Sequence, residues 1–170
     1  MISEITGLET LVNLGVLNLE RNLIRKISGL KGCKKLETLI VSSNRLGGND
    51  SQTCIESLEE LIECPELHTL DVQKNHLEDP ALLEEIFCKI QNLGVLYVNH
   101  NEFKPKIRNY RKMMVAKIKN LDHLDDRPVF EKERRLSEAF LAEGIEAERE
   151  EREVVKQEEA QKEDARRENF

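Results

Sequence analysis

The sequence predicts an α/β solenoid, with short parallel strands along one face and helices or helical turns along the other. Three observations carry this. The pattern L-x-x-L-x-L-x-x-N occurs four times, with Val allowed at its third apolar position. The units are Leu14, Leu17, Leu19 and Asn22; Leu36, Leu39, Val41 and Asn44; Leu67, Leu70, Val72 and Asn75; and Leu93, Leu96, Val98 and Asn101. Their starts lie 22, 31 and 26 residues apart, the period of stacked supersecondary units. Two positions after each Asn stands another apolar residue, namely Ile24, Leu46, Leu77 and Phe103, so each unit continues inward after its turn.

This is the leucine-rich repeat. Its second and third apolar positions sit two apart, so both point to one side of a short strand, the core side. The Asn ends the strand. Its amide both donates and accepts, and a stack of such amides can satisfy the backbone groups that turns leave open. Asn22, Asn44, Asn75 and Asn101 are therefore expected to be structural and to form a buried ladder.

The return segments differ between units. Ile27, Leu30, Cys33 and Leu36 follow a three-residue rhythm that suits short helical turns. In the longest unit, the turn-rich run Gly47-Gly48-Asn49-Asp50-Ser51 leads to Ile55, Leu58 and Ile62 on one helical face. In the next, Asp79-Pro80 reads as an N-cap and first helical position ahead of Leu83, Ile86, Phe87 and Ile90. Full helices are expected in both.

At the start, Ile2, Ile5, Leu8 and Leu11 read as the second half of a unit. That leaves the first strand open, either for a preceding unit or for self-association. Towards the other end, Asn109-Tyr110-Arg111 opens a helix through Met113, Met114, Ile118 and Leu121. The segment from Leu121 to Pro128 closes the array as a cap. Asp125, Arg127 and Pro128 are its expected structural residues, with Asp125 and Asp126 satisfying backbone or Arg127. Residues 1–130 thus form the repeat domain with its cap, and residues 131–170 a charged, mainly helical tail.

That tail holds 14 acidic and 9 basic residues, most of the whole chain's net charge of −7. It offers i, i+4 pairs in the favourable order: Glu131 with Arg135, Glu148 with Arg152, Glu158 with Lys162, and Glu163 with Arg167. Leu136, Phe140, Leu141 and Ile145 can pack its first turns. Beyond Val155 only alanines and Phe170 are apolar, so a long charged helix, increasingly solvated, is expected. Without a sustained heptad it is not an autonomous coiled coil.

No run of apolar residues is long enough for a membrane helix, and no leader pattern opens the chain. The four cysteines, Cys33, Cys54, Cys64 and Cys88, match no zinc spacing. Cys33 and Cys64 stand three residues before a repeat-opening Leu and read as small buried hydrophobes. A reduced, cytoplasmic compartment is the expectation.

No catalytic, cofactor-binding or metal-binding constellation emerges, so a non-enzymatic chain without cofactor is expected. His68, His76, His100 and His123 lack partners at ligand spacing. Gly47-Gly48 lacks the Lys-Ser/Thr of a phosphate loop. The basic residues Lys104, Lys106, Arg108, Arg111, Lys112, Lys117 and Lys119 cluster near the cap, but the overall acidity argues against direct nucleic-acid binding. What remains is the strand face. Between the core leucines lie three outward rows: Val16, Thr38, Thr69 and Val95; Asn18, Ile40, Asp71 and Tyr97; Glu20, Ser42, Gln73 and Asn99. The second and third rows are the candidate protein-binding residues, because solenoids present such surfaces to partners.

The repeat variant, with its I-x-x-I-x-G-L segments, resembles that of the phosphatase regulator with 22-residue repeats and of the U2 snRNP A′ protein. The second half narrows this. Leu77-Glu78-Asp79-Pro80, Ile107 to Lys112, and Leu121-Asp122-His123-Leu124-Asp125-Asp126-Arg127-Pro128-Val129-Phe130 resemble the dynein axonemal assembly factor 1 family. So do Ser137 to Phe140 and the run Gly144 to Arg152. The resemblance implies a cytoplasmic, cilium-associated scaffold that helps pre-assemble axonemal dynein arms, with dynein chains or chaperones as partners. A phosphatase-regulatory or ribonucleoprotein adaptor is the alternative.

Overall fold

The computed structural model describes residues 1–48 and 50–168. Asn49 and Phe170, which figure in the expectations above, lie outside the described residues. Strands β1 (Val16–Asn18), β2 (Thr38–Ile40), β3 (Thr69–Asp71), β4 (Val95–Tyr97) and β5 (His123–Leu124) lie side by side in sequence order, all parallel. β6 (Arg127–Pro128) turns back antiparallel on β5. The register aligns Leu17, Leu39, Leu70, Leu96 and Leu124, one leucine per unit.

Both apolar strand positions sink as expected: Leu39, Val41, Leu70, Val72, Leu96 and Val98 are fully buried. In β1 the same positions, Leu17 and Leu19, are only half-buried, since β1 is the sheet's outer strand, and Val16 is 63 % exposed. Ile24, Leu46, Leu77 and Phe103 are fully buried beneath the turns, and Phe103 meets Phe87 with ring centroids 6.0 Å apart.

The two convex helices expected at full length are instead divided. α1 (Ser51–Glu56) is followed by a 3₁₀ segment over Glu59–Glu63, and α2 (Leu82–Glu85) by one over Phe87–Lys89. A 3₁₀ turn advances about 2.0 Å per residue against 1.5 Å for an α-helix, so fewer residues carry the chain back across the solenoid. Asp50 caps α1, accepting from the Thr53 N–H at 2.9 Å and the Thr53 hydroxyl at 2.7 Å. Asp79 does not cap α2 as expected. It accepts from the Ala81 N–H at 2.7 Å and shapes the turn before the helix begins at Leu82. Gly47 lies at φ 104° and bridges to His76. A Cβ there would stand 1.9 Å from the His76 carbonyl oxygen, so only glycine lets the long insertion lie against the next unit.

Cys33, Cys54 and Cys64 are buried, while Cys88 is exposed on the convex side. Burial, assisted by Glu60, pushes the Cys64 thiol up to about 11.

The tail is not one long helix. Gly144, at φ 88°, separates α4 (Glu131–Glu143) from α5 (Ile145–Glu168). α5 folds back along α4, which itself packs on α3 (Tyr110–Lys117). Lys132 reaches Glu159 at 2.8 Å, and Arg135 reaches Glu151 and Glu158, each at 2.6 Å. Two of the expected i, i+4 pairs form: Glu148–Arg152 at 2.9 Å and Glu163–Arg167 at 2.7 Å. The other two give way, because Arg135 satisfies its guanidinium across the hairpin. Of the expected packing residues, Leu136 is buried and Phe140 half-buried, but Leu141 and Ile145 are exposed near the bend. No helix among the described residues is long and apolar enough to cross a membrane.

The strand face and the frame that holds it

The strand face is positioned by its turns. Oδ1 of Asn44, Asn75 and Asn101 accepts from the backbone N–H of Ile24, Leu46 and Leu77 at 3.0, 2.9 and 3.2 Å. Each Nδ2 donates to a carbonyl of the preceding unit, those of Leu19, Val41 and Val72, at 2.9, 3.0 and 2.9 Å. The amides therefore stitch unit to unit rather than closing their own turns alone. Asn22 accepts from the Ile2 N–H at 2.7 Å but is only half-buried. The residue before each Asn adopts left-handed backbone: Arg21, Ser43, Lys74 and His100 have φ between 52° and 60°. Nothing in their side chains signalled this, since none is glycine and only one is small.

Asp125 continues the ladder. Its Oδ1 accepts from the Val98 N–H at 2.9 Å, the group that in earlier units is met by a neighbouring strand carbonyl, as Val72 is by Tyr97. Oδ2 accepts from Lys104 at 2.7 Å and from the Tyr110 hydroxyl at 3.0 Å. The backbone role anticipated for Asp125 is thus present, but the cation is Lys104 rather than Arg127. Arg127 and Pro128 are exposed, and their part in the cap is the backbone of β6. The anchoring side chains are Arg111, a member of the basic cluster, and Arg134. Arg111 donates to the Leu124 and Pro128 carbonyls at 3.1 and 2.9 Å and forks onto Glu133 at 2.5 and 2.8 Å. Arg134 donates to the carbonyls of Val115 at 2.8 Å and of Leu121, closing the end of α3. Both lay in runs of charge, where a carbonyl-binding arginine has no distinguishing neighbour pattern.

Two of the three rows stand in strand register, as Val16–Thr38–Thr69–Val95 and Asn18–Ile40–Asp71–Tyr97. Ile40, Asp71, Tyr97, Gln73 and Asn99 are half-buried, and Asn18 and Glu20 are exposed. Ser42 is 6 % exposed, too enclosed for a contact residue. Its carbonyl is gripped from both sides, by the Arg21 N–H at 3.0 Å and Asn44 Nδ2 at 3.3 Å. Several polar side chains are held by their own strand ends. Asn18 accepts from the Glu20 N–H at 2.9 Å, and Asp71 from the Gln73 N–H and side chain at 3.0 and 3.2 Å. Tyr97 rests against His123, with centroids 5.5 Å apart. The face is pre-organised, which lowers the entropy cost of docking a partner.

The basic cluster near the cap is largely matched by acids. Lys104 pairs with Asp125, Lys106 with Glu78, Arg111 with Glu133, Lys112 with Glu148 and Lys117 with Glu84. Beside it, α3, α4 and α5 enclose an open groove of about 470 Å³ with Leu136 and the 68 % exposed Phe130 in its wall. Glu148 is buried there, and its hydrogen bond to Lys112 holds its carboxyl below the usual glutamate range. A depressed carboxyl contributes stability above its unfolded value and loses it as pH falls through the folded one. Acidification below about pH 4.3 is therefore expected to loosen the docking of α5. Thermal unfolding followed by circular dichroism at neutral and acid pH checks this. Glu148→Gln should flatten the acid dependence, and an unchanged dependence in that variant would contradict the assignment. Among the described residues there is no group of three or more His, Cys, Asp or Glu placed to hold a metal ion.

Residues 2–155 match the family model described as Leucine-rich repeat. Among curated proteins, the chain is 44 % identical over 90 residues to the leucine-rich repeat-containing protein ODA7 of Chlamydomonas reinhardtii, covering 53 % of this chain and 21 % of that protein. It is 39 % identical over 109 residues to a dynein axonemal assembly factor 1 homolog of Drosophila melanogaster, covering 64 % of this chain and 7 % of that one. It is 39 % identical over 87 residues to the human dynein axonemal assembly factor 1, covering 51 % and 12 %. The matched stretch is thus about a fifth or less of each relative's length. Among solved structures, the chain superposes on the crystal structure of the Drosophila melanogaster SNF/U2A′ complex with a TM-score of 0.69 at 25 % identity, covering 92 % of this chain and 82 % of that one. The chain belongs to the leucine-rich repeat family, with its sequence relatives among the dynein axonemal assembly factor 1 proteins.

Proposed function

We propose that this chain is the protein-binding repeat module of a cytoplasmic factor that helps assemble axonemal dynein arms before they enter the cilium. It is a scaffold rather than an enzyme, and its partners are dynein chains or the chaperones that fold them. The carrying observation is the sheet face itself: a rigid, uncovered strip in which Ile40 and Tyr97 stand between fixed polar groups. The names borne by the relatives supply the process. Asn18, Glu20, Asp71, Gln73 and Asn99 form the polar surround of that strip.

The test is capture from ciliated cells. Wild-type chain should retain dynein heavy or intermediate chains or chaperones, and Ile40→Asp with Tyr97→Asp should lose them while keeping its circular dichroism spectrum. Normal outer and inner arms after deletion of the gene would overturn the reading. A second reading, a ribonucleoprotein adaptor, draws on the likeness to a chain of the SNF/U2A′ complex. It predicts retention of an RNA-binding protein instead. Self-association through the uncovered edge of β1 would appear in sedimentation as mass that grows with concentration.

A further inference from the structure

The strand face carries a one-sided charge. In the four segments 15–20, 37–42, 68–73 and 94–99 there is no Lys or Arg, although the chain holds 26 of them in 170 residues. The same segments carry Glu20, Glu37 and Asp71, and the cap strand adds Asp122 and Asp126 alongside. Along one margin, Glu37, Glu66 and Asp122 line an open groove of about 450 Å³ together with His68 and Thr69, and its lining holds no Lys or Arg. Among the described residues none of these three carboxylates forms an ion pair. Along the other margin stand Glu20 and Asp126, and Asp71 lies between Ile40 and Tyr97 in the middle row. Of the cations near this face, Arg21 pairs with Glu20 at 3.4 Å, Lys104 is held by Asp125 and Asn99, Lys74 lies in the turn after β3, and Arg127 stands exposed on β6 beside Asp126. Between the margins the apolar residues are Val16, Ile40, Val95 and Tyr97, with Thr69 and Asp71 facing outward on β3.

From this arrangement we infer that the face docks a Lys/Arg-rich amphipathic helix of a protein partner. Adjacent strands are about 4.8 Å apart, and a helix laid across them advances about 5.4 Å per turn, so its successive turns keep step with the strands. An extended peptide repeats its same-side residues about every 6.6 Å and falls out of step. The strands β2 to β4 are paired on both sides, so the partner meets side chains rather than adding a strand. Carboxylates on both margins then meet the cations flanking the helix's apolar stripe, which raises the encounter rate and selects against acidic partners. The inference rests on the proposed role of this face and names the chemistry of what it binds.

The probe is a synthetic 18-residue Leu/Lys amphipathic peptide carrying one Trp, a residue this chain lacks, so peptide fluorescence reports binding without background. Two controls accompany it: the same peptide with Glu for Lys, and a scrambled peptide of identical composition. The Lys peptide should bind, weaken as salt rises, and lose about tenfold in affinity to the combined variant Glu37→Gln, Glu66→Gln, Asp122→Asn. Phe130→Ala, which alters the cap groove instead, should leave its affinity unchanged. Absence of binding, equal binding of the Glu or the scrambled peptide, or indifference to the combined variant overturns the inference. If Ile40→Asp with Tyr97→Asp abolishes capture from cells while the combined variant does not, the face is right and its proposed partner chemistry wrong.

Discussion

Asn75→Ala is expected to lower the unfolding free energy by about 2–3 kcal/mol. Asn75 is 3 % exposed, and its amide serves backbone groups of two units at once. Its Oδ1 accepts from the Leu46 N–H at 2.9 Å, while Nδ2 donates to the Val41 and Val72 carbonyls, both at 3.0 Å. Alanine would leave the buried Leu46 N–H without a partner, while the Val41 and Val72 carbonyls would keep the Asn44 and Asn101 amides, and an unpaired buried group costs about 1–3 kcal/mol. Asn75→Asp should fare no better, since its carboxylate would stand against two carbonyl oxygens and repel them. The outermost rung gives the control. Asn22 is half-buried and water can replace its bonds, so Asn22→Ala should cost about 1 kcal/mol. Chemical denaturation followed by circular dichroism measures both. Equal losses for the two variants would show that the ladder's depth in the core is not what gives it strength.

Asp125→Ala is expected to cost about 3 kcal/mol, in the range for breaking a buried ion pair by removing one partner. The carboxylate terminates the ladder at the Val98 N–H and at the same time holds Lys104 and Tyr110. Burial and the charge of Asp125 push the Tyr110 hydroxyl well above its ordinary value, so it stays a donor throughout the accessible pH range. Asp125→Asn should fall between wild type and alanine. It keeps an oxygen for Val98 and tolerates the φ of 53°, but it loses the charge opposite Lys104. Because β5, β6 and α3 meet at this residue, hydrogen exchange should rise over 110–168 before it rises in β2 and β3. Uniform loss of protection across the chain would place the weakness elsewhere.

Much of this architecture was readable from residue types. Leu, Val and Asn recur at spacings that permit one backbone path, so strand positions, register rows and ladder could be written down from the chain. Asp125, expected to satisfy backbone or Arg127, meets the Val98 N–H and Lys104. Other parts were not readable. Ser42 sits in an outward position by the strand alternation, yet two units close over it at the turn. Full helices were expected over Ile55–Ile62 and Leu83–Ile90, where the apolar spacing satisfies α and 3₁₀ geometry alike. Arg111, Arg134 and Arg135 could not be told from the other charged residues of their segments, because what sets them apart is the carbonyl or carboxylate each meets across the fold.

By itself, the sequence determined the repeat and the side of each strand that faces the core. These depend on residues near one another along the chain. Tertiary structure decided what depends on distant parts meeting. Gly144 lets α5 turn back, so a tail that reads as one solvated helix becomes a hairpin locked by Arg135 onto Glu151 and Glu158. The margins of the strand face likewise exist only once Glu37, Glu66 and Asp122, far apart in the chain, are stacked by parallel strands into one groove.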